Sequence, residues 1–333
     1  MKITRVRKSV IAIAAGALLL SGCSSSDSES AGGAYAGPVQ DTPGTINVLA
    51  WPGYAEDGST DPNVDWVTPF EKETGCTVNV KTYGTSDEAV QLMQSGGYDV
   101  VSASGDASLR LIFGGDLQPV NLDLIPNYAD VFDNLKDRPW NTIDGANYGV
   151  PHGRGANVLQ YTIDKVKPAP DSWSVVWEPN SPLKGKITAY DSAIYIADAA
   201  VYLMSTKPEL GITDPYALDQ TQFDAAMALL KQQKPLVAEY WADYTKYVAA
   251  VQAGSIVAGT SWQVIANVLN GEKATVGAVK PKEGATGWSD TWMISKNTES
   301  IDCAYKWLNW IISPATNAQA AEYFGEAPAN SKA

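Results

Sequence analysis

A tryptophan and a carboxylate with complementary chemistry lie two residues apart near the end of the chain. Trp288 and Asp290 precede Met293-Ile294-Ser295, which is typical of a strand. On an extended backbone, side chains two residues apart point to the same side. An indole face beside a carboxylate suits a bound ammonium or quaternary amine, because the ring offers cation–π attraction and the carboxylate offers a charge-assisted hydrogen bond. The competing interpretation is that Trp288 only packs between lobes and Asp290 only shapes a turn.

Aromatic and polar side chains also follow predicted strands elsewhere in the chain. Ligands of parallel α/β sheets bind outside the carboxyl ends of the strands, where such side chains can meet. We therefore expect one pocket assembled from strand ends that are distant in sequence. Its further candidate members are Trp51, Tyr54, Ser104, Asp106 and Trp262.

The elements that must position these residues alternate between strand and helix. Strands are predicted over 46–51, 77–83 and 98–103, separated by helices over 64–74 and 87–93. This β-α-β-α-β order is typical of the start of a parallel α/β sheet. The remaining predicted elements are strands over 148–151, 157–161, 185–190, 256–262 and 276–279, and helices over 107–113, 194–204, 220–233, 244–253, 264–269, 303–312 and 316–323.

One aromatic-rich segment is interpreted as core and not as part of the pocket. Its aromatic residues recur at i, i+3 and i+4, which is the spacing of one helix face. Glu239 and Asp243 beside them fit a solvated face. The aromatic residues are Tyr240, Trp241, Tyr244 and Tyr247.

The N-terminus carries the pattern of an exported protein. Basic residues precede an apolar run over Val10–Leu20, which is too short for a membrane span and typical of a secretory signal. Leu20-Ser21-Gly22-Cys23 resembles a bacterial lipobox, which implies cleavage before Cys23 and lipidation of that residue. An ordinary signal peptide with a coincidental cysteine is the alternative. We expect a signal peptide over 1–22, a flexible tether over 23–44, and a protein lipid-anchored outside the cytoplasm.

Charge and histidine content exclude several classes of function. The formal charge of the chain is −13, and removal of residues 1–22, which hold four basic and no acidic side chains, would lower it to −17. An acidic surface argues against nucleic-acid binding and suits a cationic ligand. His152 is the one histidine of the chain, so a metal site of several histidines is excluded. We expect no metal and no cofactor.

Two cysteines remain after lipidation, Cys76 and Cys303. In an exported protein such a pair indicates a disulfide. Two free buried thiols are the alternative. A disulfide between these residues would close a long loop and stabilise the folded state by roughly 2–5 kcal/mol.

Short motifs in a fixed order resemble those of the spermidine/putrescine-binding proteins of bacterial ABC importers. The resemblance covers about residue 45 to the C-terminus, and it implies an α/β, two-lobed periplasmic-binding-protein fold with a hinge and an interlobe ligand cleft. Lobe one would comprise 45–152 plus 292–315, and lobe two 153–291 plus 316–333, which places both cysteines in lobe one. The motifs are Leu49-Ala50-Trp51-Pro52-Gly53-Tyr54, Phe70-Glu71-Lys72-Glu73-Thr74-Gly75, Tyr98-Asp99-Val100-Val101, Gly287-Trp288-Ser289-Asp290 and Ala320-Ala321-Glu322-Tyr323-Phe324-Gly325.

The resemblance also implies a set of ligand-binding residues, in which Asp290 takes the amine deepest in the pocket. A second carboxylate would take another amine, and aromatic rings would form the walls. The implied set is Trp51, Tyr54, Ser104, Asp191, Trp262, Trp288, Asp290 and, less closely matched, Gln319.

The chain departs from the polyamine binders at three positions. Ile194 stands where they place a second acid, and Asp106 stands where an aromatic residue often follows the serine. Arg154 lies near the crossing segment, where it could pair with a ligand carboxylate or form a structural ion pair with an acid at the hinge. Glu326 could supply a replacement acid.

The leading hypothesis is the substrate-binding component of an ABC importer that captures a small amine by lobe closure. It implies permease subunits as partners and a monomeric binding protein. An amine-carboxylate zwitterion or a quaternary amine is the alternative ligand. A secreted glycosidase that uses Asp191 and Asp290 as its acid pair is a weaker hypothesis, because no motif fixes a catalytic acid. An adhesion or scaffold lipoprotein would bind no small molecule.

Overall fold

The computed structural model describes residues 33–271 and 273–333. The predicted signal peptide, the lipidation site Cys23 and the first part of the predicted tether lie outside the described residues. None of the described helices is long and apolar enough to cross a membrane.

The chain from Thr45 onward builds the first of two α/β lobes. Its first elements are β1 (Thr45–Ala50), α1 (Val67–Thr74), β2 (Thr77–Thr82), α2 (Ser86–Ser95), β3 (Val100–Ala103), α3 (Gly105–Phe113), β4 (Thr142–Ile143), β5 (Ala146–Asn147) and β6 (Gly149–Pro151), with 3-10 helices at Leu122–Leu124, Pro126–Asp130 and Asp133–Leu135. Gly75 ends α1 with a φ of 71°, a left-handed conformation that favours glycine. The backbone N–H of Glu88 donates to the hydroxyl of Thr85, which caps α2.

The chain then crosses into the second lobe. The elements of this part are β7 (Gly153–Ala156), β8 (Val158–Thr162), α4 (Ser174–Trp177), β9 (Ile187–Tyr190), α5 (Tyr195–Thr206), α6 (Gln220–Gln233), β10 (Val237–Trp241), α7 (Tyr244–Ala253), β11 (Ala258–Ser261), α8 (Gln263–Asn270), β12 (Val276–Val279) and β13 (Gly287–Trp288), with 3-10 helices at Pro208–Leu210 and Lys234–Leu236. Asp219 and Gln222 form a reciprocal capping box at the start of α6.

The last part of the chain returns to the first lobe. It comprises β14 (Thr291–Ile294), α9 (Ile301–Ile311), α10 (Pro314–Phe324) and β15 (Ala327–Pro328). Ser313 caps α10, and Pro314 occupies its first turn, where a missing N–H costs no helical hydrogen bond.

Each lobe contains one five-stranded sheet, and the two sheets share a plan. The strand order is β2-β1-β3-β14-β6 in lobe one and β10-β9-β11-β8-β12 in lobe two. In each sheet three parallel strands are followed by an antiparallel strand that adjoins a crossing segment. The predicted two-lobed α/β fold is therefore confirmed.

Two crossing segments join the lobes and are hydrogen-bonded to each other. The strand β7 follows lobe one and leads into β8 of lobe two, whereas β13 leads from lobe two back to β14. These two strands pair antiparallel, and β15 pairs with the other edge of β7. The connection is thus a small three-stranded sheet.

The C-terminal tail corrects one predicted boundary. Residues 316–333 were expected in lobe two, but Ala320, Phe324 and Ala329 are buried in the hydrophobic core of lobe one. The apolar face of α10 packs there because Ser313 starts this helix directly after α9, which itself lies in that core.

The predicted disulfide between Cys76 and Cys303 is present. Both residues are buried in the core of lobe one, where Cys76 precedes β2 and Cys303 lies in the first turn of α9. The disulfide therefore joins the start of this lobe to its last part and leaves the crossing segments unconstrained.

The tether predicted to be flexible is held against α9 over residues 35–42. The backbone N–H of Gln40 donates to Asp302 Oδ1 at 2.8 Å, and Thr42 Oγ1 donates to Asp302 Oδ2 at 3.2 Å. The rings of Tyr35 and Tyr305 pack with centroids 5.7 Å apart. This segment has no core of its own, and its contacts with a helix hold it in place. The composition of the segment does not reveal these contacts.

Candidate functional site

The carboxylate of Asp290 lies at the carboxyl ends of β1 and β3. Tyr54 follows β1, Ser104 follows β3, and Asp290 directly precedes β14, which is antiparallel to β3. The hydroxyl of Tyr54 donates to Asp290 Oδ2 at 2.8 Å, and Ser104 Oγ donates to Oδ1 at 2.6 Å. Asp290 is only 3% exposed. Both carboxylate oxygens are therefore held by neutral donors inside the protein.

A second carboxyl group, that of Glu326, lies on the other side of the same hydroxyl. The hydroxyl of Tyr54 is 3.1 Å from Glu326 Oε2. His152 Nε2 is 3.2 Å from Glu326 Oε1, and both side chains are fully buried. The approach of Nε2 and Oε1 does not have hydrogen-bond geometry, and both atoms lack a hydrogen-bond partner among the described residues. We call Tyr54, Ser104, His152, Asp290 and Glu326 the acid cluster.

The imidazole of His152 is neutral. Its Nδ1 accepts a hydrogen bond from Trp292 Nε1 at 3.0 Å. An indole nitrogen only donates, so the ring hydrogen of His152 is on Nε2, which faces Glu326. Burial lowers the pKa of His152 to about 3. The histidine therefore supplies a dipole and no positive charge at neutral pH.

Burial changes the proton affinity of both acids. It raises the pKa of Asp290 to about 6, while hydrogen bonds from Ser104 and Tyr54 oppose this rise. Burial and the charge of Asp290 together raise the pKa of Glu326 well above its usual range. Two neighbouring buried carboxyl groups do not readily ionise together when no cation is close to them, because their negative charges repel each other. The acid cluster thus retains protons more strongly than exposed carboxyl groups do.

Aromatic rings from both lobes meet above this cluster. Trp51 of lobe one and Trp262 of lobe two pack edge to face with centroids 5.9 Å apart. Tyr83 packs against Trp51 at 4.4 Å, and Tyr190 against Trp262 at 5.3 Å. Trp51, Tyr83 and Trp262 line an interlobe cavity of about 400 Å³. The predicted walls therefore come together at the interface of the two lobes.

Trp288 reaches the cluster through another aromatic residue. Its ring packs edge to face with Phe324 at 5.8 Å, and Phe324 packs against Tyr54 at 4.8 Å. A side chain at Gly155 would collide with Trp288, since a Cβ there would lie 2.2 Å from the indole. The indole of Trp288 thus packs against Gly155 of the crossing strand β7.

The two remaining predicted acids differ in burial. Asp106 accepts a hydrogen bond from Ser86 at 3.1 Å, and burial raises its pKa. Asp191 is exposed and lines a separate cavity of about 360 Å³. Lys231 and Lys234, which follow each other closely at the end of α6, line the same cavity. Asp191 therefore lies on a more open and mixed-charge surface than Asp290.

Two predicted site residues do not join the cluster. Arg154 Nη1 donates to Asn134 Oδ1 at 3.1 Å, and its guanidinium lies 5.4 Å from the ring of Phe132. Side chains alternate along a strand, and a Cβ at Gly153 would collide with Glu326, so Arg154 points to the opposite face of β7. Among the described residues Arg154 takes part in no ion pair, which argues against the alternative of a structural ion pair at the hinge. Its contact with a ligand stays a prediction. Gln319 is exposed on α10.

Sequence reasoning did not identify His152 as a member of the cluster. It also missed Trp292, which donates a hydrogen bond to His152. The available signal was the position of the single histidine, directly before the crossing segment. Glu326 was considered only as a replacement acid, and the left-handed Gly325 that ends α10 is what turns the chain to place it.

Comparisons with known proteins agree with this architecture. Residues 65–333 match the family described as bacterial extracellular solute-binding protein. A putrescine-binding periplasmic protein of Pseudomonas aeruginosa is 28% identical over 272 residues, covering 77% of this chain and 72% of that protein. The spermidine/putrescine-binding periplasmic protein of Escherichia coli is 25% identical over 260 residues, covering 77% and 71%.

A solved structure shows the same fold. The TpPotD lipoprotein of Treponema pallidum superposes with a TM-score of 0.72 at 19% sequence identity, and the match covers 86% of this chain and 87% of that one. The family match covers most of the chain and describes binding of solutes outside the cytoplasm, which argues against the glycosidase hypothesis. The chain belongs to the bacterial extracellular solute-binding protein family.

Proposed function

We propose that this protein is the substrate-binding component of an ABC importer, which captures a small amine by lobe closure and delivers it to a permease. The observation that carries the proposal is the carboxylate of Asp290, which is buried and accepts hydrogen bonds from Tyr54 and Ser104. Relatives of similar sequence are named for binding putrescine or spermidine.

The charge of the buried cluster favours a cationic ligand. A buried carboxylate is costly unless a positive charge or several donors compensate for it. None of the ion pairs among the described residues brings a lysine or arginine to Asp290 or Glu326. A ligand ammonium would supply the missing charge, and its N–H groups would bind the carboxylate oxygens.

The aromatic walls fit the rest of such a ligand. Trp51 and Trp262 would pack along its methylene groups or bind a charged nitrogen by cation–π attraction. Because these rings belong to different lobes, a ligand between them favours the closed form. Asp290 is buried and lines neither of the two interlobe cavities. We therefore expect the lobes to move apart to admit the ligand.

A lipid anchor and a permease complete the proposed role. The lipobox-like segment ending at Cys23 supports attachment of the N-terminus to the cell membrane. Residues 35–42 lie along α9, so the anchor would leave lobe one from that helix. We propose that the binding protein acts as a monomer.

One observation favours an amine-carboxylate ligand as a second candidate. Lys231 and Lys234 line the same cavity as Asp191. They could bind a carboxylate at the far end of a ligand whose amine reaches Asp290. Arg154, the residue first considered for this role, points elsewhere.

A ligand panel separates these candidates. The purified protein is heated with putrescine, spermidine, γ-aminobutyrate or glycine betaine, and the shift in unfolding temperature is recorded, because a ligand of the native state stabilises it by mass action. The proposal predicts the largest shift with putrescine or spermidine. A shift only with γ-aminobutyrate would support the second candidate, and no shift with any of the four would contradict the proposed function.

A further inference from the structure

The acid cluster contains more hydrogen-bond acceptors than available hydrogens. The hydroxyl oxygen of Tyr54 lies 2.8 Å from Asp290 Oδ2 and 3.1 Å from Glu326 Oε2. A tyrosine hydroxyl has one hydrogen and can donate it to only one of these oxygens. An ionised carboxylate has none to give. The other contact therefore needs a hydrogen from a carboxyl group.

No neighbouring group removes this requirement. Ser104 donates to Oδ1 of Asp290, the oxygen that does not face Tyr54. His152 faces Oε1 of Glu326 and is neutral, because its Nδ1 accepts from Trp292. The other titratable groups that act on these acids are Asp106, Tyr83 and Tyr190, none of which is a cation. All the elements packed on the cluster thus contribute neutral or acidic groups.

Burial acts in the same direction. It raises the pKa of Asp290 to about 6, and it raises that of Glu326 well above its usual range. A pair of coupled acids gives up its protons in two steps that belong to the pair and not to one residue. Near neutral pH the pair therefore retains at least part of one proton.

We infer that the acid cluster of the ligand-free protein shares a proton between Asp290 and Glu326, and that a protonated primary amine displaces this proton when it binds. The inference rests on the proposed function. In this exchange a carboxyl O–H bond breaks and the proton passes to solvent, while the ligand keeps all its N–H hydrogens and donates them to the freed oxygens. The ammonium brings one positive charge into the buried site and the departing proton takes one away, so the net charge of the site does not change.

The exchange selects among amines. A primary ammonium has three N–H donors, which can replace the lost carboxyl hydrogen. A quaternary amine has no N–H and would leave buried carboxylate oxygens without donors, which is costly. The cluster thus favours primary amines over quaternary ones, although the aromatic walls alone would accept both.

The exchange also makes affinity depend on pH. If one proton leaves for each ligand bound, the affinity rises by at most about tenfold per pH unit. An alkyl amine such as that of lysine has a pKa of about 10.4, so the ligand itself stays charged between about pH 6 and pH 8. Any pH dependence in this range therefore reports on the protein.

Calorimetry with putrescine tests the exchange directly. Titrations at about pH 6.5 in phosphate and in MOPS, whose ionisation enthalpies differ and neither of which is a primary amine, give the number of protons released per ligand. We expect a number near one for the wild type and a number close to zero for Glu326→Gln, which keeps the shape of the side chain but cannot hold the shared proton. We also expect the affinity of the wild type, but not of the variant, to fall about tenfold between about pH 7.5 and pH 6.5.

The matched control is Glu178→Gln. Glu178 also accepts a hydrogen bond from a tyrosine hydroxyl, that of Tyr202, but it lies in lobe two outside the acid cluster. This variant should release the same number of protons as the wild type. An equal loss of proton release in both variants would show that the effect does not arise in the cluster and would overturn the inference.

The possible results separate the two proposals. Binding of putrescine without proton release, and with affinity constant from about pH 6 to pH 8, would overturn the inference and leave the proposed function intact. No binding of any amine would overturn the proposed function.

Infrared spectroscopy of the wild-type protein tests the inference without any variant. Ligand-free protein at about pH 7 should show a C=O stretching band of protonated buried carboxyl groups. Putrescine should remove the part of this band that arises from the acid cluster and leave the part that arises from Asp198, a buried acid of lobe two whose pKa is raised to about 7 by burial. If saturating putrescine leaves the whole band unchanged, the cluster gives up no carboxyl proton and the inference fails.

Discussion

The two sides of the interlobe region hold their acidic residues in opposite ways. On the lobe-one side, Asp290 is buried and both of its oxygens accept hydrogen bonds from Tyr54 and Ser104. On the lobe-two side, Asp191 is exposed and shares its surroundings with lysine side chains. Preorganised donors fix the direction of a carboxylate, whereas an exposed one is screened by water. Under the proposed function, we expect lobe one to select the buried end of the ligand and lobe two to tolerate variation at the other end.

The lobes differ in covalent support as well, although their sheets share one plan. Lobe one carries the Cys76–Cys303 disulfide and the segment 35–42 laid along α9. Among the described residues, lobe two has no such crosslink. The lobe with the preorganised acid is therefore also the more constrained one.

The largest expected effect comes from Asp290→Asn. At about pH 8 this change should weaken putrescine binding by roughly 2–5 kcal/mol, because a buried ammonium loses its charged partner. Calorimetry measures the change. Asp133→Asn is the control in the same lobe, since its side chain is 98% exposed, and it should leave the affinity unchanged. Equal affinities for wild type and Asp290→Asn would refute the assigned role of Asp290.

Removal of the disulfide should destabilise lobe one selectively. The bond links residues 227 positions apart, and the double change Cys76→Ala with Cys303→Ala should lower the free energy of unfolding by roughly 2–5 kcal/mol. Differential scanning calorimetry should then show a lower unfolding temperature for lobe one. An unchanged unfolding temperature of lobe one would contradict this prediction and show that the segment along α9 and the core already hold the two ends together.

A smaller effect is expected from Asp198, a buried acid of lobe two that lies outside the acid cluster. Thr286 Oγ1 donates to Asp198 Oδ1 at 2.8 Å, and burial raises the pKa of Asp198 to about 7. An unfolded aspartate has a pKa of about 3.9, so between about pH 4 and pH 7 the folded state holds a proton that the unfolded state lacks. The free energy of unfolding should therefore fall as pH rises through this window.

The variant Asp198→Asn isolates this contribution. Relative to the wild type it should gain stability on going from about pH 5 to pH 8, on the order of 2 kcal/mol. Urea unfolding at both pH values measures the difference. The number of protons released by putrescine should stay unchanged, because Asp198 belongs to lobe two. A pH dependence identical to that of the wild type would contradict the buried protonated state of Asp198.

The smallest effect is expected from Asp191→Asn. An exposed ion pair contributes about 0–1 kcal/mol, so the affinity for putrescine should fall only a few-fold. If this change instead costs as much as Asp290→Asn, lobe two must bury Asp191 in the liganded form, and the contrast between the two lobes would not hold.

Much of the fold could be predicted from periodicity and caps. The helices Gln220–Gln233 and Tyr244–Ala253 and the strand Val276–Val279 have the predicted bounds, because capping residues or glycine mark the ends of both helices. The strand Val237–Trp241 was not predicted. Its aromatic residues had been interpreted as one helix face, but β9 offered an edge to pair with, so tertiary pairing decided the structure.

The candidate site was predictable in its parts but not in its arrangement. The strand-end argument brought Tyr54 and Ser104 to Asp290, and Trp51 to Trp262. Which face of β7 carries Arg154 depends on strand pairing, and the position of Glu326 depends on how α10 packs in lobe one. Neither is encoded in a local pattern, since both depend on contacts between distant segments.

The most direct test of the account is a crystal structure of the protein with putrescine. It should show one ammonium nitrogen within hydrogen-bond distance of Asp290 and Glu326, and methylene groups between Trp51 and Trp262. A ligand bound in the cavity beside Asp191, with the acid cluster unchanged and out of contact, would contradict the account.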